Sequence, residues 1–449
     1  MEWIDAATAS ERLGVKPATL YAYVSRGVLQ RRHSEDGRRS LFSAEEIERL
    51  ARRGRPRSQP PELVIESAIT ALGVDRPHYR GLDTLGLALT SDFETVAAWL
   101  WTADPSLWLP PPPPTPTTPP PPHPPTTPPH LHPLTTPAHP HSPTTPADPR
   151  PSATPARQRD LWPEPWRCDD DALRAAVTAQ RGLPDDLLPL DRLQVITTVL
   201  GASDSLRYQL DPASVAATGR RMIAGLVDAL PQLSEPQGDS IAERLWSRLC
   251  PHPATPGLLN AVQAALVLLA DHELAASTLA ARVAASAKAD PYAVVLTGLG
   301  VLGGPLHGGA SYGAERLLAE VAEPHQAARA IAERVRRGER IPGFGHSVYK
   351  NGDARGALLL DLVKEAAPGH DRIAAGTAVL EEMRRRRLPE RNVDFALAIL
   401  TAVSGMVSGA GEAIFAVARA AGWLAHAMEE YDRGALLRLR ASYTGPPVK

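Results

Sequence analysis

Apolar residues recur along most of this chain with a helical period. Between about Glu62 and Trp108, and again from Leu161 to Tyr443, hydrophobic positions fall three or four apart among Ala, Leu, Arg and Glu, which predicts amphipathic helices. Windows such as Leu258–Ala270 and Asp394–Val403 are apolar nearly all round, the mark of helices buried on every side. Alternating β-branched runs with Asn-Gly or Asp-Gly turns are almost absent from the long C-terminal stretch. The pattern predicts a mostly all-α core.

The first 57 residues have a different rhythm. Ala9–Val15 predicts a short helix ending at Gly14, and Pro17 can open a second at its first position, where its missing N–H costs nothing. That second helix would present Thr19, Tyr21 and Tyr23 outward, with Leu20 and Val24 facing in. Gln30–Phe42 reads as a hairpin about Asp36-Gly37 with arginines on both arms, and Ser43-Ala44-Glu45-Glu46 as the cap of a further helix. Together these residues resemble the winged helix–turn–helix of MerR-type and excisionase-type regulators. The resemblance implies DNA as a partner, read by Thr19, Tyr21 and Tyr23 in the major groove, with Arg26, Arg31, Arg38 and Arg39 on phosphates. This segment carries 12 Lys+Arg against 8 Asp+Glu, so a net charge of −2 for the chain leaves −6 elsewhere. That balance excludes a nucleic-acid coat over the whole protein and a polybasic membrane binder.

Composition then divides the chain. Of 46 prolines, 22 lie between Pro110 and Pro155 among Thr, His, Ala and Ser, a stretch with neither amide donors nor apolar periodicity enough to build a core. It is expected to be a disordered, extended surface insert. Its five histidines are read as low-complexity sequence rather than a metal tract. The expected organisation is a winged helix–turn–helix over 1–57, the first part of a helical domain over 58–108, the insert over 109–160, and the remainder of the helical domain over 161–449. Two cysteines, Cys168 and Cys250, are too few for a disulfide framework or a structural zinc site. With no apolar run of about 18 residues and no basic-then-apolar start, a soluble cytoplasmic protein is expected, without membrane association.

Three stretches set a histidine or carboxylate among glycines or prolines: Gly303-Gly304-Pro305-Leu306-His307-Gly308-Gly309-Ala310, Ile341-Pro342-Gly343-Phe344-Gly345-His346, and Arg391-Asn392-Val393-Asp394. In a helical chain such clusters bring backbone close to a ligand and let side chains project from helix ends. With Tyr79-Arg80-Gly81, His272–Thr278, Arg419 followed by Gly422–His426, and Tyr443–Pro446, they resemble the citrate synthase family over 62–108 and 161–443. The resemblance implies large and small helical domains, a homodimer, and condensation of acetyl-CoA with oxaloacetate.

Joining an acetyl thioester to a 2-oxo acid means removing a weakly acidic methyl proton while the enolate oxygen receives a hydrogen bond. The resemblance makes Asp394 the base, His307 the enol stabiliser and His346 the donor to the ketone oxygen. His307 is expected at the N-terminus of a helix through Gly313–Val321, whose dipole disfavours imidazolium. His272, Arg355 and Arg419 would hold oxaloacetate, with Arg438 reaching in from the partner subunit. Gly343, Phe344, Gly345 and Lys350 would hold coenzyme A, a co-substrate; no tightly bound cofactor or metal is implied. Ser311 departs from the Asn that many relatives carry after this histidine motif. Two alternatives stay open: a 2-methylcitrate synthase using propionyl-CoA, one methylene larger, and a DNA-binding regulator whose helical domain senses a ligand.

Overall fold

A computed structural model describes residues 3–13, 15, 17–25, 28–34, 40–47, 64–108, 165–350, 352–439, 441, 444 and 445. The proline-rich stretch over 109–160 lies outside them, as do Arg26, Arg38, Arg39 and Tyr443. The chain divides into two compact units, Met1–Glu66 and Ser67–Lys449.

In the first unit, β1 (Trp3–Asp5), β2 (Arg31–His33) and β3 (Ser40–Ser43) form an antiparallel sheet in the order β1-β3-β2. Ile4 and Arg31 both face Phe42 across it. Helix α1 (Ala6–Leu13) is capped by Asp5, whose Oδ1 accepts the Thr8 amide at 2.9 Å, and α2 (Pro17–Ser25) begins on its proline. Ile4, Ala9, Leu20, Leu29, Phe42 and Ile47 close a small core. The hairpin arms of the sequence reading are β2 and β3; β1 was not foreseen, because three residues are too few for alternation to register.

The second unit opens with three short antiparallel strands, β4 (Thr70–Leu72), β5 (Pro77–Tyr79) and β6 (Leu82–Asp83), where the hydrophobic pattern predicts helix. The rest is helical: α3 (Thr84–Thr90), α4 (Phe93–Thr102), α5 (Asp170–Ala179), α6 (Pro189–Ser203), α7 (Pro212–Asp228), α8 (Ile241–Leu249), α9 (Pro256–Leu269), α10 (Ala276–Ser286), α11 (Pro291–Leu302), α12 (Gly309–Glu320), α13 (Ala327–Arg336), α14 (Ala354–Ala366), α15 (Asp371–Arg385), α16 (Val393–Ser404) and α17 (Ala410–Arg433). Local chemistry sets the starts. Pro189, Pro212, Pro256 and Pro291 each stand in the first turn, Ser240 and Glu243 form a capping box, and Asp169, Asp211, Asp290 and Asp353 accept first-turn amides.

Helix α17 is the axis of the unit. Nearly every residue from Ala410 to Tyr431 is buried, and it packs against α4, α7, α9, α10, α11 and α12. The windows read as buried all round, in α9 and α16, are buried except for half-buried Leu259, Asn260 and Ala402. Helices α14 and α15 pack on α16, and the glycine-rich loop over 341–350 leads into α14, so this group carries one side of the site. Among the described residues no helix is long and apolar enough to cross a membrane.

Candidate active site

Asn392 caps α16 by accepting the Asp394 amide at 3.0 Å, which places Asp394 in the first helical turn. A helix N-terminus favours a carboxylate, yet burial dominates and pushes Asp394 up to about 6, against the Ser311 hydrogen bond and the charge of Arg355. Ser311, from α12, donates to Asp394 Oδ1 at 2.5 Å, so this position still serves the carboxylate without an amide side chain.

His307 lies in the turn between α11 and α12. That turn is tight: a Cβ on Gly309 would come within 2.6 Å of the Gly303 carbonyl oxygen, so only glycine fits. His307 Nε2 meets Ser277 Oγ at 2.6 Å, and the same Oγ accepts the Trp423 indole N–H at 3.2 Å. With the indole N–H on one lone pair, the serine can give its proton to Nε2, the arrangement that leaves His307 a hydrogen on Nδ1 to donate. Burial, then the nearby charge of Arg419, hold the ring down at about 4. Helix α12 starts at Gly309 rather than Gly313, so His307 stands just ahead of its N-terminus, and burial with the charge of Arg419 keeps the imidazole neutral.

Gly343 and Gly345 both take positive φ, at +81° and +82°, and Phe344 between them packs against Phe395 with ring centroids 4.7 Å apart. The Gly345 amide donates to Glu390 O at 2.8 Å, the Asn392 amide to Gly343 O at 3.0 Å, and Asn392 Nδ2 to Gly345 O at 3.0 Å. The loop is thus stitched to the cap of the helix that carries Asp394. His346 Nδ1 accepts the amides of Val348 and Tyr349 at 3.0 and 3.2 Å, so its proton sits on Nε2. Burial, then Arg355, hold it at about 4. Its ring lies 5.2 Å from that of buried His272, whose Nε2 pairs with Tyr349 Oη at 3.0 Å. Burial first, then Arg355 and Arg419, keep His272 well below the usual histidine range.

Two buried arginines complete the cluster. Arg355 forms a two-pronged pair with Asp353, at 3.0 Å from Nε and 2.8 Å from Nη2, and Asp353 also accepts the Val393 amide at 3.3 Å. Arg419, 1% exposed, donates from Nε to Leu269 O at 2.8 Å and lies 4.7 Å over the Phe415 ring, which in turn lies against His307. Its Nη1 is buried with no partner among the described residues, an arrangement that calls for an anion. Burial pulls this guanidinium down to about 10. The charge of Arg355 acts on His272, His346 and Asp394, and that of Arg419 on His272, His307 and Asp394, so both imidazole turns and the carboxylate converge on the same two cations.

Lys350 is exposed, its Nζ 3.3 Å from His346 O. Arg438 is exposed after α17 and does not join the cluster within its own chain. Sequence reasoning assigned no role to Ser277, Tyr349 or Asp353. Asp353 had a signal, an acidic cap just ahead of a predicted helix; Ser277 lay within the His272–Thr278 stretch, but nothing there singled out its side chain.

In the first unit, Thr19 and Tyr21 are exposed on α2, Tyr21 edge-on to Phe42, and Arg31 is exposed on β2. Tyr23 departs from the expectation: half-buried, it packs with Val24 against the small core. Arg32 stacks over the Trp3 ring at 4.9 Å.

Residues 156–440 match the family model for the citrate synthase C-terminal domain, and residues 6–53 that for the MerR helix–turn–helix family of regulatory proteins. The chain is 35% identical to citrate synthase 2 of Bacillus subtilis over 276 residues, 58% of this chain and 74% of that one. It is 29% identical to 2-methylcitrate synthase 2 of Corynebacterium glutamicum over 287 residues, 60% of this chain and 75% of that one. Among solved structures it is similar to citrate synthase of the archaeon Thermoplasma acidophilum, crystallised with carboxymethyl coenzyme A and oxaloacetate. There the TM-score is 0.63 at 21% identity, over 87% of this chain and 96% of the other. It is also similar to the enzyme of Thermotoga maritima, with a TM-score of 0.60 at 22% identity, over 88% and 97%.

Proposed function

Because the chain belongs to the citrate synthase family and is an enzyme of that type, we propose that it condenses acetyl-CoA with oxaloacetate and water to give citrate and free coenzyme A. The observation that carries this reading is a buried carboxylate held by Ser311 together with two hydrogen-bonded imidazoles and two buried arginines. A carboxylate pushed up to about 6 is a base of useful strength near neutrality. Two imidazoles held at about 4 stay neutral and, by their hydrogen bonds, each keep one N–H free. A ligand-sensing domain would need the cations but neither the base nor the two oriented donors.

Asp394 takes a methyl proton from the thioester while His307 Nδ1–H stabilises the enolate oxygen, without having to be an acid itself. The enolate carbon attacks the ketone carbon of oxaloacetate, the electron pair moves onto the ketone oxygen, and His346 donates its Nε2–H to that oxygen, which becomes the hydroxyl; the proton taken by Asp394 balances the one delivered there. Water then cleaves the citryl thioester, releasing citrate and the thiol. Arg419, through its unpaired Nη1, and Arg355 hold the carboxylates of oxaloacetate beside His272. Arg438 of the partner subunit completes the diacid site of a homodimer. The Gly343–Gly345 backbone and Lys350 take coenzyme A.

The deciding experiment mixes purified protein with oxaloacetate and acetyl-CoA or propionyl-CoA and follows free thiol. Faster release from acetyl-CoA is expected. Preference for propionyl-CoA would make it a 2-methylcitrate synthase, the activity named for one relative; no release from either would overturn the reading. One methylene is worth only about 1–3 kcal/mol of discrimination, so the rates must be compared side by side.

The MerR-type match supports DNA binding by the first unit, with Thr19, Tyr21 and Arg31 toward the duplex. Full-length Arg31→Ala is expected to bind DNA more weakly and with a shallower salt dependence. Absence of any DNA affinity at low salt would make the unit structural.

A further inference from the structure

Behind the cluster lies a chain of charged and polar groups that the mechanism does not use. Asp271, Arg282, His426 and Glu430 are all fully buried, in the interior of the second unit. Arg282, on α10, donates from Nη1 to His426 Nδ1 at 2.7 Å and to Glu429 at 2.6 Å, and from Nε to Glu430 at 2.7 Å. A donor on Nδ1 fixes the tautomer: the His426 proton sits on Nε2, which points at Asp271 Oδ2, 3.2 Å away. The same Oδ2 accepts the Thr70 hydroxyl at 2.6 Å and the Glu273 amide at 3.1 Å.

All of this converges on five residues, 269–273, between α9 and α10. The Asp271 amide donates to Tyr79 Oη at 3.1 Å, and Gly422 on α17 donates its amide to Ala270 O at 3.0 Å. Glu273 is a non-glycine residue at φ +52°, a conformation that persists only where its surroundings impose it. At one end of the segment Leu269 O holds the Arg419 guanidinium; next to Asp271 stands His272. Replacing buried charges with apolar side chains is often neutral or stabilising, so stability alone does not account for this chain of contacts.

We propose that Arg282, His426 and Asp271 form a positioning relay that holds the 269–273 segment, and with it His272 and Arg419, in the geometry that receives the 2-oxo diacid. This rests on the reading of His272 and Arg419 as oxaloacetate ligands. The relay acts through those two residues and touches neither substrate. Losing it should therefore weaken the diacid while leaving the acyl thioester and the chemical step nearly untouched.

The test uses full-length protein and reads oxaloacetate binding by calorimetry, which needs no turnover, together with KM for each substrate, kcat and Tm. His426→Ala is expected to weaken oxaloacetate about tenfold, the scale of one lost hydrogen bond to a charged group, with KM for the thioester and kcat at saturation little changed. His426→Gln, whose amide can accept from Arg282 and donate to Asp271, should recover most of that affinity. Thr70→Val removes a single donor to Asp271 with little change of volume and should weaken oxaloacetate less than His426→Ala; it decides the matter if the alanine variant does not fold. Unchanged oxaloacetate affinity in the folded variants, with only a lower Tm, would overturn the proposal. Wild-type protein that binds no oxaloacetate would instead remove the reading of the site; binding without thiol release would remove only the catalytic reading.

Discussion

A carboxylate that must accept a proton from carbon works best near the pH at which it is half ionised, and burial has moved Asp394 to about 6. Because His307 and His346 are already neutral above about 4, the acid limb of kcat/KM should belong to Asp394 alone. The rate is expected to fall below a midpoint near pH 6, read from a profile between pH 4.5 and 8. The same shift carries a stability cost. A folded pKa raised from 3.8 favours the protonated fold, so its contribution is fully present below about 4 and is lost as pH rises through about 6. At neutral pH that loss is roughly 3 kcal/mol. Asp394→Asn should abolish thiol release yet raise Tm at pH 7.5, with the gain shrinking toward pH 4 in paired thermal melts. The chemistry-bearing residues were legible because each stands in a glycine- or proline-bounded motif. Their hydrogen-bond partners were not: Ser277 meets His307 from thirty positions away, and a lone serine at the start of a helix leaves no pattern.

At the scale of elements, α11 and α17 touch so closely that a side chain cannot come between them. A Cβ on Gly298 would lie 2.5–2.8 Å from three atoms of the Trp423 ring. That indole is fully buried and holds Ser277, which in turn sets the tautomer of His307. Gly298→Ala should cost about 1–3 kcal/mol by overpacking, lower Tm, and reduce kcat more than it raises either KM, as steady-state assays would show. The long helices were readable because periodicity accumulates over a dozen residues, as in α9 and α16. Strands of two or three residues, β1 and β4–β6, offer no such length, and their pairing is decided by distant neighbours: Tyr79 of β5 sends its hydroxyl into the turn after α9.

At the scale of the whole molecule, Arg438 bears on how many chains make one site. It is exposed on a segment anchored by the Leu437 amide donating to Ser286 Oγ at 3.1 Å. If it serves the partner's diacid site, Arg438→Ala and Asp394→Ala should each be inactive as homodimers, and co-expression should restore about a quarter of wild-type thiol release, since half the dimers then hold one intact site. No recovery would place Arg438 in its own chain's site, and an active Arg438→Ala homodimer would place it outside catalysis. The stitching of Gly343–Gly345 to the cap of α16 has a consequence of its own. The cradle proposed for the nucleotide end of the thioester and the base proposed for its methyl end are one rigid piece, so whatever shift greets the incoming coenzyme reaches Asp394 too. Grip and deprotonation would be geared together, and a thioester stripped of its adenine should lose turnover as well as affinity.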